Sequence, residues 1–96
     1  MIICHVVGHV WATKKEPSLE GLKLMVVRQD QDGKEMVAAD IVGAGVGEQV
    51  LVVSGSTARN LYNGRELPVD HAIVGIIDEV KTIEPEKKSP ARKAKN

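Results

Sequence analysis

DIVGAGVGEQVLVVSGSTAR, residues 40–59, packs three glycines into five positions, continues as an apolar run and ends in a second cluster of small residues. Gly43, Gly45 and Gly47 pose the question that decides the fold. They form either a phosphate cradle that opens a helix, or main chain that needs glycine for another reason. A dinucleotide-binding turn ends a strand and opens a helix, whose N-terminus then holds the pyrophosphate. Here Glu48 and an apolar strand over roughly 49–53 follow instead, and the Gly-Lys-Ser/Thr of a phosphate-binding loop is missing. Glu48 would also set a negative charge beside any bound phosphate. The stretch reads as a tight connection between strands, where glycine permits positive φ and close approach of another backbone. A purely local turn needs no ligand, whereas a crowded loop near a symmetry axis has a use. The loop alone does not choose between them.

Working outward, SGSTARNLYNG predicts a short helix with Ser54 or Ser56 as N-cap and Gly64 near its end. HAIVGIIDEV, residues 71–80, reads as the closing strand, apolar on both sides. Upstream, residues 2–13 read as a strand because β-branched residues dominate and helix punctuation is absent. Ile2, Cys4, Val6, Gly8, Val10 and Ala12 share its inward face, and Ile3, His5, Val7, His9, Trp11 and Thr13 share the other. The second set is too apolar for open water and too polar for a sealed core, a mixture common where subunits meet. KKEPSLEG gives a loop, residues 22–29 a second strand, and Asp-Gly at 32–33 a hairpin returning into residues 35–39.

Five short strands, one small helix before the last strand and no helical crossovers predict an all-β fold. The expected form is an antiparallel sheet curled into a small five-stranded, OB-like β-barrel. Gly8 and Gly75 fall inside strands, where glycine marks a bend, a bulge or a close approach.

The 96 residues fit one domain, which buries only about two thirds of the surface its unfolded chain exposes. With one Trp, one Tyr and no Phe, the core is built from Val, Ile, Leu, Met and Ala. Burial of a second apolar face against copies of itself would add stability by mass action. Residues 1–80 hold seven Lys/Arg against eleven Asp/Glu, net −4, and residues 81–96 hold six against two, net +4. Residues 84–96 lack large apolar side chains and read as a flexible basic tail after a barrel domain over 1–83. The single Cys4 excludes an internal disulfide framework and suits a reducing cytoplasm. No apolar run approaches the ~20 residues of a membrane span, so no membrane partner is expected.

Catalytic and metal-binding chemistry find little footing. His5 and His9 share a face but lie roughly 13 Å apart along a strand, too far for one metal ion. His71 has only Asp70 beside it, and no metal or cofactor is expected. Ser54 and Ser56 lack the pattern of a nucleophile elbow, and Cys4 falls on an apolar face, so the chain is not read as an enzyme. Nucleic-acid binding has Trp11, Tyr62 and the basic tail in its favour, against an acidic body. Arg59 reads as a solvated helix arginine or as a two-pronged partner for an acid on a neighbouring chain, within reach of the glycine loop that ends in Glu48.

Taken together, VVGHVWAT, KEPSLEGLKLMVV, VAADIVGAGVGEQVLVVSGSTAR and PVDHAIVGIIDEV, in this order over about residues 1–83, resemble the pentameric vertex proteins of bacterial microcompartment shells. These occur in carboxysomes and in ethanolamine- and propanediol-utilising organelles. The resemblance implies a structural homopentamer at the fivefold corners of a shell otherwise tiled by hexameric proteins, with a narrow central opening. It implies subunit-contact or pore positions for Gly43, Ala44, Gly45, Gly47 and Glu48, and for Ser54, Gly55, Ser56, Ala58 and Arg59. Thr57 departs from the family's usual Ser. His9 and Trp11 replace residues more often small or aliphatic there, which makes them interface candidates specific to this chain. The basic tail is outside the shared pattern. The competing reading is an oligomeric OB-like module that binds a small ligand or single-stranded nucleic acid.

Overall fold

The computed structural model describes residues 1–12, 17–61 and 68–83. Five strands and one helix run in the order β1 (Ile2–His9), β2 (Lys23–Gln29), β3 (Glu35–Asp40), β4 (Gln49–Ser54), α1 (Ser56–Arg59) and β5 (His71–Ile76), with a 3-10 turn over Pro17–Leu19 before β2. The strands close a barrel in the order β1-β2-β3-β5-β4, with β4 returning to pair β1. The five-stranded barrel with one short helix before the last strand is thus the observed fold. The sheet departs from the expected antiparallel pattern at one seam. There β3 and β5 run parallel through Ala39–Ala72 and Asp40–Ile73, because closure brings together two strands that no hairpin joins.

Side chains alternate across each strand, so every second residue enters the barrel. Among the described residues, Cys4 and Val6, Met25 and Val27, Val50 and Val52, with Ala38 and Ile73, fill it. β1 is shorter than the predicted 2–13. It ends at His9, Val10 and Ala12 lie beyond it, and Thr13 falls outside the described residues. Within the strand a bulge breaks the alternation: Val6 pairs Val27 and Gly8 pairs Val26, which leaves Val7 unopposed. A second bulge at Val74 separates the Leu51–Gly75 and Val52–Ile73 pairs. Both strand glycines therefore flank bends. β5 likewise stops at Ile76, short of the predicted residue 80.

The hairpin between β2 and β3 follows its Asp-Gly signal. Gly33 adopts φ 76°, and the Asp32 carboxylate accepts the Lys34 N–H at 2.9 Å. α1 departs from expectation at its start, for neither serine caps it. Gly55 is the N-cap, at φ 70° and ψ −145°, without a side-chain cap, and the Ser54 hydroxyl is engaged elsewhere. The helix lies outside the barrel, where Ala58 packs with Val53 of β4 and Ala72 of β5. Gly64, Tyr62 and the basic tail at 84–96 lie outside the described residues.

Candidate functional site

The glycine loop joins the end of β3 to the start of β4 and is built around one carboxylate. Asp40 is 6% exposed, and its side chain is wholly buried. Its Oδ1 accepts the N–H groups of Val42 and Gly43, both at 3.0 Å, and its Oδ2 accepts that of Ala44 at 2.8 Å. The Lys23 ammonium lies 3.4 Å from Oδ2 and donates to the Ala44 carbonyl at 2.8 Å. A buried charge needs such partners, since unpaired it would carry a large desolvation penalty. Farther along, Glu48 Oε1 accepts the Gly45 N–H at 2.7 Å, and the Gly47 N–H donates to the Val6 carbonyl at 2.8 Å. The amides of Val42, Gly43, Ala44, Gly45 and Gly47, which in a phosphate cradle would face a ligand, are taken up by the chain's own oxygens.

This wiring sorts the loop's side chains. Ala44 turns into the barrel and joins its core with no exposed surface. Val42 and Val46 turn outward, 39% and 58% exposed. Gly43 and Gly47 adopt φ 83° and 96°, the left-handed region that glycine enters at no steric cost. Gly45 does not. Its φ is ordinary, and a Cβ there would meet only Glu48 Oε1 at 3.7 Å. Within one chain nothing requires glycine at 45.

The second small-residue cluster lies at the far end of β4, about 20 Å away along six residues of strand. Ser54 Oγ and His71 Nδ1 are 2.8 Å apart across β4 and β5, and the Gly55 N–H donates to the Asp70 carbonyl at 2.9 Å. Ser54 and Ser56 are exposed. The Arg59 guanidinium reaches Asp70 of its own chain at 3.4 Å. The expected proximity of Arg59 to Glu48 is not the arrangement found, because the whole length of β4 separates the two residues. The sequence reading grouped the two motifs by their closeness in the chain, but a strand between them carries them apart.

His9 and Trp11 stack with ring centroids 5.6 Å apart at 25°, and Trp11 is 87% exposed. They follow the point where β1 is bonded to Gly47 through Val6, so they lie at the barrel end that carries the glycine loop. His5 pairs instead with Asp30 at 2.6 Å, and Gln49 Nε2 donates to the other Asp30 oxygen at 2.8 Å. Burial pushes the Asp30 carboxyl up, but the hydrogen bonds from His5 and Gln49 together outweigh it and hold the pKa below 3.8. Cys4 is buried in the barrel, and burial, then the charges of Asp30 and Asp32, raise its thiol pKa. That environment disfavours the reactive thiolate. Among the described residues no group of three or more His, Cys, Asp or Glu is arranged to hold a metal ion.

Asp40 and Lys23 are not among the residues the sequence marks above. Asp at a strand end, two to four residues before a glycine turn, is a signal for side-chain capture of turn amides. Lys23 carries no such signal, since its contact spans two strands.

Three comparisons bear on this arrangement. The family model described as "ethanolamine utilisation protein EutN/carboxysome" matches residues 1–78. The carboxysome shell vertex protein CcmL of Synechococcus elongatus is 49% identical over 85 residues, covering 83% of this chain and 86% of that protein. The bacterial microcompartment shell vertex protein PduN of Salmonella typhimurium is 45% identical over 87 residues, covering 81% and 96%. Among solved structures, the GrpN pentameric microcompartment shell protein of Rhodospirillum rubrum superposes with a TM-score of 0.76 at 42% identity, covering 88% of this chain and all of that one.

Proposed function

The chain belongs to the EutN/carboxysome family of shell vertex proteins, and on that premise we propose that five copies close into a ring that caps a fivefold corner of a bacterial microcompartment shell. Its work is geometric. A flat hexagonal layer has no curvature, and fivefold units at its corners supply it. The neighbours at such a corner are hexameric shell proteins, and the ring's centre leaves a narrow opening.

A ring forms when one surface of a chain meets a different surface of the next and the rotation closes. The observation that supports the reading is that β4 separates two different clusters at its opposite ends, which we assign as the two surfaces. At one end stand the glycine loop with Val42 and Val46 outward and the His9–Trp11 stack; at the other stand Ser54, Gly55 and α1. In this reading Gly43, Gly45, Gly47 and Glu48 bring main chain close to the neighbour, while Ser54, Gly55, Ser56 and Arg59 form the facing surface. Ala44 serves from within the barrel. Arg59, which reaches Asp70 of its own chain, supplies a guanidinium that can also meet an acid across the contact.

No chemistry of the chain's own is part of this function. Ser54 and His71 do touch, but a serine hydrolase also needs an orienting acid and oxyanion donors around that pair. Turnover of any substrate that disappears with Ser56→Ala or Ser54→Ala would restore the enzymatic reading. The alternative of a ligand- or nucleic-acid-binding barrel gains no support from the relatives, which are shell vertex proteins.

Coexpression with hexameric shell proteins tests the assignment. With the chain present, electron microscopy should show closed polyhedral shells carrying it at their corners. Equally closed shells without the chain, or a chain spread evenly over the facets, would overturn it.

A further inference from the structure

The geometry points to Asp40 and Lys23 as the residues that position the glycine loop for assembly: a buried latch that sets Val42 and Val46 facing outward before any neighbour arrives. This rests on the reading of the loop as a subunit contact and adds the device that shapes it.

Asp40 takes three consecutive amide hydrogens, while Lys23 grips both the carboxylate and the loop's own carbonyl at Ala44. The carboxylate sits at the floor of the loop, and Ala44 anchors the same segment in the core. Two flanking residues, Val42 and Val46, are thereby denied the interior. Outward valines in a water-facing loop bring one chain little, because exposed apolar surface has no burial to gain until a partner covers it. Holding the loop rigid beforehand removes the ordering cost that a flexible loop would meet on association. Lys23 is the more exposed member, its side chain 40% accessible, and its apolar stem reaches the loop from β2. It neutralises the carboxylate and closes the latch from outside.

Three variants of the full chain test this. Lys23→Met keeps the stem and removes the charge and both contacts. Asp40→Asn keeps an acceptor for one side of the loop but opposes an amide NH2 to the Ala44 N–H. Lys34→Met, on the β2–β3 hairpin, makes the same change of charge away from the latch. The expected result is that Lys23→Met and Asp40→Asn weaken the oligomer by about ten-fold or more in concentration at half-dissociation. Hydrogen exchange should quicken at the amides of Val42, Gly43 and Ala44 but hold at Val27 and Val50, and Lys34→Met should match the wild type in both readings. Unchanged dissociation and unchanged loop exchange in Lys23→Met would overturn the inference even if Asp40→Asn fails to fold, as would an equal shift in Lys34→Met. If the wild-type chain itself is single in solution, the failure belongs to the ring reading, and the exchange pattern alone then decides whether the latch holds the loop.

Discussion

Gly45 separates two reasons for a glycine within five residues of chain. At Gly43 and Gly47 the backbone itself is left-handed, so alanine there should destabilise the isolated barrel by roughly 1–2 kcal/mol whether or not it assembles. At Gly45 the single chain leaves ordinary room and ordinary φ. Gly45→Val should therefore abolish the oligomer, read by light scattering, while the dissociated chain keeps the wild-type far-UV circular dichroism and a cooperative unfolding transition. Equal loss of both would mark the position as a local turn. Asp30 gives a pH dependence. Its folded pKa lies below its ordinary 3.8, so its contribution to stability is present above that value and lost as the pH falls through the folded one. Urea midpoints should fall more steeply below about pH 4 in the wild type than in Asp30→Asn; parallel curves would remove His5 and Gln49 as the cause. At this scale the glycines are legible, because turn chemistry is local, whereas Asp40, which carries the same kind of local signal, is absent from the expected residues. Lys23 and the Ser54–His71 contact are not legible, since each joins residues that only the closed sheet brings together.

Among the elements, β2, β3, β4 and the hairpin between the first two follow their sequence signals closely. Alternating valines and the Asp-Gly turn are enough to define them. The bulge of β1 and the point where that strand ends both depend on pairing with β2, which is not visible in the sequence of β1 alone. The parallel seam between β3 and β5 was missed for the same reason. α1 is a four-residue turn of helix that owes its place to Ala58 against Val53 and Ala72 and not to a serine cap. Ser56→Ala should thus cost less than the ~1 kcal/mol typical of a lost N-cap. Met25 is the largest fully buried side chain of the barrel. Met25→Ala should cost about 2–5 kcal/mol in urea unfolding, because a core this small, built among the described residues from Val, Ala, Met, Ile and Cys, has little to close the cavity with.

Taken as a whole molecule, the chain carries one barrel with differently furnished ends. The family resemblance was legible in four ordered segments, whereas the placing of those segments at opposite ends of β4 needed the fold. The division into a barrel over 1–83 and a tail over 84–96 remains a proposal with a direct check. Deleting residues 84–96 should leave the oligomer's mass at five shortened chains, and dissociation on truncation would make the tail a structural part of the ring. The most direct check on the ring is the mass of the 96-residue chain in solution at micromolar concentration. That mass should be five times the 10.4 kDa of one chain. A well-folded 10.4 kDa species that persists as the concentration rises, with Val42, Val46 and Trp11 still open to water, would contradict it.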